Sequence, residues 1–143
     1  MGSHAGARWK VSAQLRAEKM MIYGKVTPED FAASWLSMRR SDVGDVVYQT
    51  SEWAVDCGIE WAFEMPSSLF DSIILISKES LNDNEVAMLG VGPLEALLAY
   101  NFEEYFLRLV QLSKENQNIC QALKSVIPPD EYELEFSSKI RLD

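Results

Sequence analysis

The sequence predicts an all-α fold of about six or seven short helices, and three observations lead to this prediction. Apolar residues recur at helical spacing through most of the chain. Capping residues, glycines and prolines separate these segments. The 143 residues, 48% of them hydrophobic, are enough for one continuous core. We therefore expect a single helical domain over residues 27–143, with its helices in antiparallel pairs, as a bundle or a short HEAT-like stack.

Residues 1–26 are predicted to form a basic N-terminal arm or helix. The stretch "ARWKVSAQLRAEKMMIYG" is mildly amphipathic, with Val11, Leu15 and Ile22 at near-helical spacing. The opening "MGSH" resembles either a vector-derived tag or an ordinary start, and the sole histidine, His4, is expected to be disordered or part of such a tag rather than a ligand. No secretory signal is recognised in this stretch.

The segment "TPEDFAASWLSMRR" is predicted to be a helix. Thr27 is suited to the N-cap and Pro28 to the first helical position, and two acidic residues follow in the first turn. Apolar residues then recur at three- to four-residue spacing, and two arginines suit the C-terminal end.

The next segment, "GDVVYQTSEWAVDCGIEWAFEM", is interpreted as one helix that ends at Pro66 and buries a stripe of Trp53, Cys57 and Trp61. Three later helices are expected to begin at capping-box-like pairs. These pairs are Ser68 with Asp71, Asn82 with Glu85, and Asn101 with Glu104.

Two more helical segments are predicted towards the C-terminus. The first, "QNICQALKSVI", is expected to bury Ile119, Ala122, Leu123 and Val126 before two prolines end it. The second, residues 130–142, fits both a helix and a short terminal strand, because Tyr132, Phe136 and Ile140 lie at helical spacing while apolar and charged residues also alternate. Helix is favoured, since no other segment offers this strand a clear partner.

The stretch "LGVGPLEALLA", residues 89–99, is either an anion-binding loop or a joint between two helices. Pro93 lacks an N–H donor, Glu95 would repel an anion, and no Lys or Arg lies between Lys78 and Arg108. The joint is therefore favoured, with Gly92 capping the second helix, Pro93 as its first residue and Glu95 at its positive end.

The same stretch carries a family resemblance. Val91–Leu98, "VGPLEALL", is similar to the A-G-P-L-E-D-L-L-like core motif of a bacterial domain family of unknown function, and the likeness extends over about residues 66–127. Val91 stands where the family has alanine, and Ala96 where it has aspartate. The resemblance implies an all-helical fold and a bacterial source, and it implies no activity.

Charge is distributed unevenly along the chain. Residues 1–40 hold seven basic and three acidic residues, whereas residues 41–143 hold six basic and nineteen acidic ones. Four carboxylates at i+4 steps form what we call the acidic ridge: Glu52, Asp56, Glu60 and Glu64. Like charges at this spacing destabilise a helix by about 0.2–0.5 kcal/mol per pair. The ridge, with Asp45 just before it, is therefore the predicted binding surface for a basic protein, and nucleic acid would be repelled.

Three accounts of the acidic ridge stay open. It can be a docking surface, for example that of an immunity or antitoxin-like inhibitor of a basic toxin such as a nuclease. It can be a divalent-metal site, although helical carboxylate sites usually add a histidine. It can also be the solvated face of a structural adaptor, its repulsion relieved by the basic arm packing across it.

No catalytic motif is recognised, so an enzyme is not predicted. Nucleophile-elbow, Walker and H-E-x-x-H patterns are absent from the sequence. Cys57 and Cys120 are expected to be reduced and buried, and five aromatic residues are interpreted as core rather than pocket residues: Trp35, Trp53, Trp61, Phe63 and Tyr100. No cofactor and no membrane partner are expected, the compartment is predicted to be the cytoplasm, and the oligomeric state stays open.

Overall fold

The structure is a computed structural model in which residues 14–140 are described. A first helix, α1, covers residues 14–23. The helices that follow are α2 Pro28–Arg39, α3 Val46–Ser51, α4 Trp53–Glu64, α5 Pro66–Ser77, α6 Asp83–Leu89, α7 Glu95–Ser113, α8 Gln117–Leu123 and α9 Glu133–Ile140. A π-helical turn, Gly90–Leu94, joins α6 to α7, and a 3-10 turn, Asp130–Tyr132, leads into α9.

The prediction of an all-α chain is confirmed, because no strand occurs within residues 14–140. The favoured helical interpretation of the C-terminal segment is confirmed as well. Phe136 and Ile140 lie on the buried side of α9, and the Phe136 ring packs 5.5 Å from that of Phe106 on α7. Val11 and Leu142 lie outside the described residues.

Two predicted helix starts are confirmed by hydrogen bonds. The Thr27 hydroxyl accepts from the Asp30 N–H at 3.1 Å, and Pro28 is the first residue of α2. Asn82 and Glu85 form a full capping box, each side chain accepting from the other's N–H at 2.8–2.9 Å.

Two other predicted starts are wrong. Helix α5 begins at Pro66 rather than at Ser68, because proline is already suited to the first helical position. Asn101 does not begin a helix but kinks α7, with φ −136° and ψ 36°. Its amide donates to the carbonyls of Leu97, at 3.1 Å, and Ala62, at 2.7 Å, so the side chain occupies an acceptor of the helix and bends it onto α4.

The segment predicted as one helix before Pro66 is broken into α3 and α4. Glu52 separates them with ψ −15°. The Thr50 hydroxyl donates to the Val46 carbonyl one turn earlier, at 2.9 Å, a bond that tends to bend a helix. On α4 the predicted stripe is largely correct, since Cys57 and Trp61 are fully buried and Trp53 is half-buried.

Residues 89–99 form a joint, as predicted, but Gly92 and Pro93 lie inside the π-helical turn instead of capping and starting α7, which begins at Glu95. Gly90 has φ −67°, and the chain passes through the π-helical turn into α7 without leaving helical geometry. Gly90 is needed for close packing, since a Cβ there would lie 2.2 Å from the Ala122 carbonyl oxygen of α8. Glu95 is in the first turn of α7, and its carboxylate accepts from the Ile127 N–H at 2.7 Å.

The core lies where α2, α4, α5 and α7 meet. Helix α2 packs on α3 and α5, and α4 packs on α5 and α7. Helix α8 covers α6, α7 and the π-helical turn. Three of the four residues predicted to be buried here, Ile119, Ala122 and Leu123, lie on α8, and the fourth, Val126, is buried just after the helix ends. These contacts leave α4 with one buried side, one side against α1 and one side open to solvent, which is where the candidate site lies.

Candidate functional site on helix α4

The acidic ridge exists in the structure, but its members differ in environment. Glu52 and Glu64, at the two ends of α4, are exposed. Asp56 and Glu60, in the middle, are half-buried. Asp45 is exposed at the start of α3, where its carboxylate accepts from the Asp42 N–H at 3.2 Å, so it stands outside the ridge.

Helix α1 covers the middle of the ridge with basic side chains. Lys19 Nζ lies 3.1 Å from an Asp56 oxygen and 3.8 Å from a Glu60 oxygen. Arg16 Nε lies 3.6 Å from the other Glu60 oxygen, and the Glu60 side chain is 12% exposed. The like-charge repulsion along α4 is thus relieved within the molecule at these two positions.

Tyr23 completes this cover of Asp56. Its hydroxyl donates to the second Asp56 oxygen at 2.6 Å. Burial alone would raise the pKa of Asp56, but the hydrogen bonds from Tyr23 and Lys19 outweigh it and hold that pKa below its usual value. Burial, followed by the bond to Asp56, raises the pKa of Tyr23 well above its usual value. Asp56 is therefore a charged, hydrogen-bonded structural group.

An exposed row of apolar side chains runs beside the ridge. We call Val55, Ile59, Phe63 and Tyr100 the apolar stripe. The first three lie at i+4 steps on α4, and Tyr100 of α7 packs edge-on against Phe63 at 4.8 Å. Ile59, Phe63 and Tyr100 are 52%, 53% and 58% exposed.

Sequence reasoning missed the apolar stripe, and it placed Phe63 and Tyr100 in the core. The available signal was the i, i+4, i+8 spacing of Val55, Ile59 and Phe63, which is offset by one position from the acidic ridge. Two apolar rows on α4 could not both face the same core. The buried row is the one that contains Cys57 and Trp61.

A cavity of about 350 Å³ opens beside the first half of the apolar stripe. Its walls come from α2, α4, the end of α6 and the joint that leads into α7, and they are mainly apolar. Trp35, interpreted from sequence as core, forms part of the wall while remaining buried. Val55 and Ile59 belong both to this wall and to the stripe.

Arg39 and Glu95 are the ionisable residues in the cavity wall. Glu95 is engaged with the Ile127 N–H, as described above. The Arg39 guanidinium lies 5.7 Å from the Trp35 ring centroid, and one of its terminal nitrogens lies 3.9 Å from the Met38 sulfur. Its Nε is buried without a hydrogen-bond acceptor. Among residues 14–140, no carboxylate pairs with this arginine.

The two cysteines are free, but only one matches the expectation of full burial. Cys57 is buried, and burial, together with the nearby Asp56, raises the pKa of its thiol to about 12. Cys120, on α8, is only half-buried. A thiol held protonated in this way is a poor nucleophile, which gives Cys57 a packing role.

The described residues bear on two other kinds of site, a metal site and a membrane-spanning helix. Across residues 14–140, no group of three or more His, Cys, Asp or Glu side chains is placed to hold a metal ion. His4 lies outside the described residues. None of the described helices is both long enough and apolar enough to cross a membrane.

Comparisons of the chain with protein-family models, with curated proteins and with solved structures give no match. The resemblance of Val91–Leu98 to a bacterial domain family of unknown function therefore stays a prediction.

Proposed function

We propose that this chain is a non-enzymatic protein-binding domain that docks a partner along α4, with the apolar stripe as the centre of the interface and the acidic ridge as its charged edge. The observation that carries the proposal is the exposure of Ile59, Phe63 and Tyr100 as neighbours on one face. Isolated exposed apolar residues are ordinary, whereas a contiguous apolar patch bordered by charge is typical of an interaction surface.

The geometry favours a partner segment that is itself an amphipathic basic helix. Apolar residues at i+4 steps on α4 suit apolar residues at similar spacing on a partner. Glu52 and Glu64, exposed at the two ends of α4, would attract basic side chains flanking that apolar row. Asp56 and Glu60 are less accessible, because α1 already occupies them.

The most concrete form of this proposal is an inhibitor that works in the cytoplasm of a bacterium, in the manner of an immunity protein or antitoxin bound to a basic toxin. Small size, acidity and the exposed apolar stripe support it. The antiparallel pairing of helices, as a bundle or a short HEAT-like stack, belongs to the same proposal. A carboxylate metal site has no supporting cluster among the described residues, and a purely structural adaptor would not need the exposed aromatic pair.

The test begins by identifying a partner through a photo-crosslinking residue at position 63 and then measures binding with the purified partner. The stripe variant is Phe63→Ser/Tyr100→Ser. The edge variant is Glu52→Gln/Glu64→Gln, which leaves the α1 contacts intact. Leu134→Ser on α9 is the matched control, since Leu134 is 88% exposed and far along the chain from α4.

We expect the stripe variant to weaken binding at least tenfold, while the control binds as the wild type does. The edge variant should slow association and reduce its dependence on salt, because exposed charges act mainly on the encounter rate. Equal binding by the wild type and the stripe variant would refute the proposal. So would a partner that the control variant fails to bind.

A further inference from the structure

We infer that the cavity beside α4 is a binding site for a small single-chain amphiphile with an anionic head, which Arg39 recognises. The site is distinct in its ligand from the protein-docking surface, and the inference does not depend on that proposal. A cavity of about 350 Å³ lies near the lower end of the range for small-molecule sites, roughly 300–1,000 Å³. Its size suits one hydrocarbon chain or one aromatic ring system rather than a two-chain lipid.

The wall of the cavity determines the body of the ligand. Trp35, Met88, Ile59 and Ala96 present apolar surface from four different parts of the chain. Gly92 leaves further room, since a Cβ at that position would meet no atom within 4 Å. A polar ligand would lose its hydration here without finding hydrogen-bond partners, so the body of the ligand is apolar.

Arg39 determines the head of the ligand. A guanidinium carries five N–H donors, and this one has only a distant thioether sulfur as acceptor within the described chain. Its neighbour Arg40 shows the usual arrangement, with its Nε 2.7 Å from a Glu85 carboxylate oxygen. A carboxylate entering the cavity would give Arg39 the same kind of charge-assisted bond.

Glu95 opposes this preference but does not abolish it. It lines the same cavity and keeps its negative charge, because the Ile127 N–H that it accepts from at 2.7 Å is neutral. That bond holds one carboxylate oxygen towards Ile127, which does not line the cavity. The Arg39 guanidinium is held against Trp35, so its charge is presented from a fixed position in the wall. The cavity therefore combines an apolar body with one unpaired cationic group.

Titration with three probes that share one alkyl chain tests the inference: octanoate, octan-1-ol and octylammonium. Calorimetry gives the affinities, and the methyl NMR signals of Met88 and Ala96 locate the bound probe. The variants are Arg39→Met, Arg39→Lys and the matched control Arg108→Met. Arg108 also lies over an aromatic ring, 4.4 Å from the Phe70 centroid, but it does not line the cavity.

We expect octanoate to bind wild type at least tenfold more tightly than octan-1-ol, and octylammonium to bind most weakly. Arg39→Met should remove the preference for octanoate, Arg39→Lys should keep part of it, and Arg108→Met should keep all of it. Equal affinities for octanoate and octan-1-ol in wild type would overturn the inference. So would a preference that survives in Arg39→Met, or methyl shifts confined to residues outside the cavity.

The wild-type probe series needs no variant, so the result does not depend on Arg39→Met folding. The experiment is also separate from that on the protein partner. Phe63 and Tyr100, changed in the docking test, do not line this cavity. Loss of partner binding in the stripe variant together with normal octanoate binding would show two independent properties of α4.

Discussion

A pair of glycine substitutions in the π-helical turn tests how the joint between α6 and α7 is held. In Gly90→Ala, the new Cβ would lie 2.2 Å from the Ala122 carbonyl oxygen and 2.9 Å from the Ser125 Cβ. The closest of these atoms is backbone, so α8 or the turn itself has to move. Gly92→Ala is the matched control, because nothing lies within 4 Å of its new Cβ.

The two substitutions are expected to change the free energy of unfolding in opposite directions. Overpacking lowers stability by about 1–3 kcal/mol, and replacing a helical glycine by alanine raises it by roughly 0.5–1 kcal/mol. Gly90→Ala should therefore lower the free energy of unfolding by about 1–2 kcal/mol, while Gly92→Ala should raise it by about 0.5–1 kcal/mol. The two variants should differ by about 2 kcal/mol, or roughly 4–8 °C in Tm for a chain of this length.

Urea denaturation followed by circular dichroism at 222 nm measures both free energies. Unchanged stability in Gly90→Ala would refute the reasoning, because it would mean that α8 does not press on the joint. Equal shifts in the two variants would refute it too, since they would reflect helix propensity alone.

Three further predictions concern single side chains. Glu85 is buried, and its pKa is lowered, first by the bond from Arg40. Its contribution to stability is therefore present above its usual pKa of about 4.3 and is lost as the pH falls through the lowered value. Glu85→Gln should lower the free energy of unfolding by about 1–2 kcal/mol at pH 7, and it should flatten the decline in that free energy measured by urea denaturation between about pH 6 and 2. Tyr23→Phe removes the 2.6 Å bond to Asp56 and should cost about 0.5–1.5 kcal/mol, whereas Tyr48→Phe, whose hydroxyl makes no described bond, should cost little in the same denaturation assay. The thiol of Cys57 is buried and its pKa is raised to about 12, so it should not react with iodoacetamide at pH 8 until the protein unfolds. If mass spectrometry found the label on Cys57 in the native protein, the burial of this side chain would be contradicted.

The parts of the fold that were predictable from sequence are those decided by neighbours in the chain. Thr27 with Asp30, and Asn82 with Glu85, cap their helices through bonds that span three residues, and sequence spacing shows such pairs directly. The kink at Asn101 was missed because its amide bonds to the Ala62 carbonyl, 39 positions away. Asparagine thus caps a helix at position 82 and kinks one at position 101.

The candidate site was predictable only in part, for the same reason. The acidic ridge is a local pattern on one helix and was recognised, but its partners Arg16 and Lys19 come from another helix. The adjacent arginines at the end of α2 were both interpreted as helix-terminal charges. Their surroundings separate them, since Arg40 meets Glu85 across 45 positions and Arg39 faces the cavity. Which of two equivalent residues stays unpaired depends on tertiary contacts that spacing does not encode.

The cover of the acidic ridge by α1 makes that helix a tethered competitor for any basic protein. Arg16 and Lys19 belong to the same chain as Asp56 and Glu60, so they act at the high local concentration of an intramolecular ligand, on the order of millimolar for short linkers. A polycation with no apolar row would have to displace α1 from these two carboxylates, and also from the Phe63 ring, over which the Arg16 guanidinium lies at 5.0 Å; it would bury none of the apolar surface of Ile59. We therefore expect a chain shortened to begin after α1 to bind basic proteins with less discrimination, because Asp56 and Glu60 would then lack their intramolecular partners.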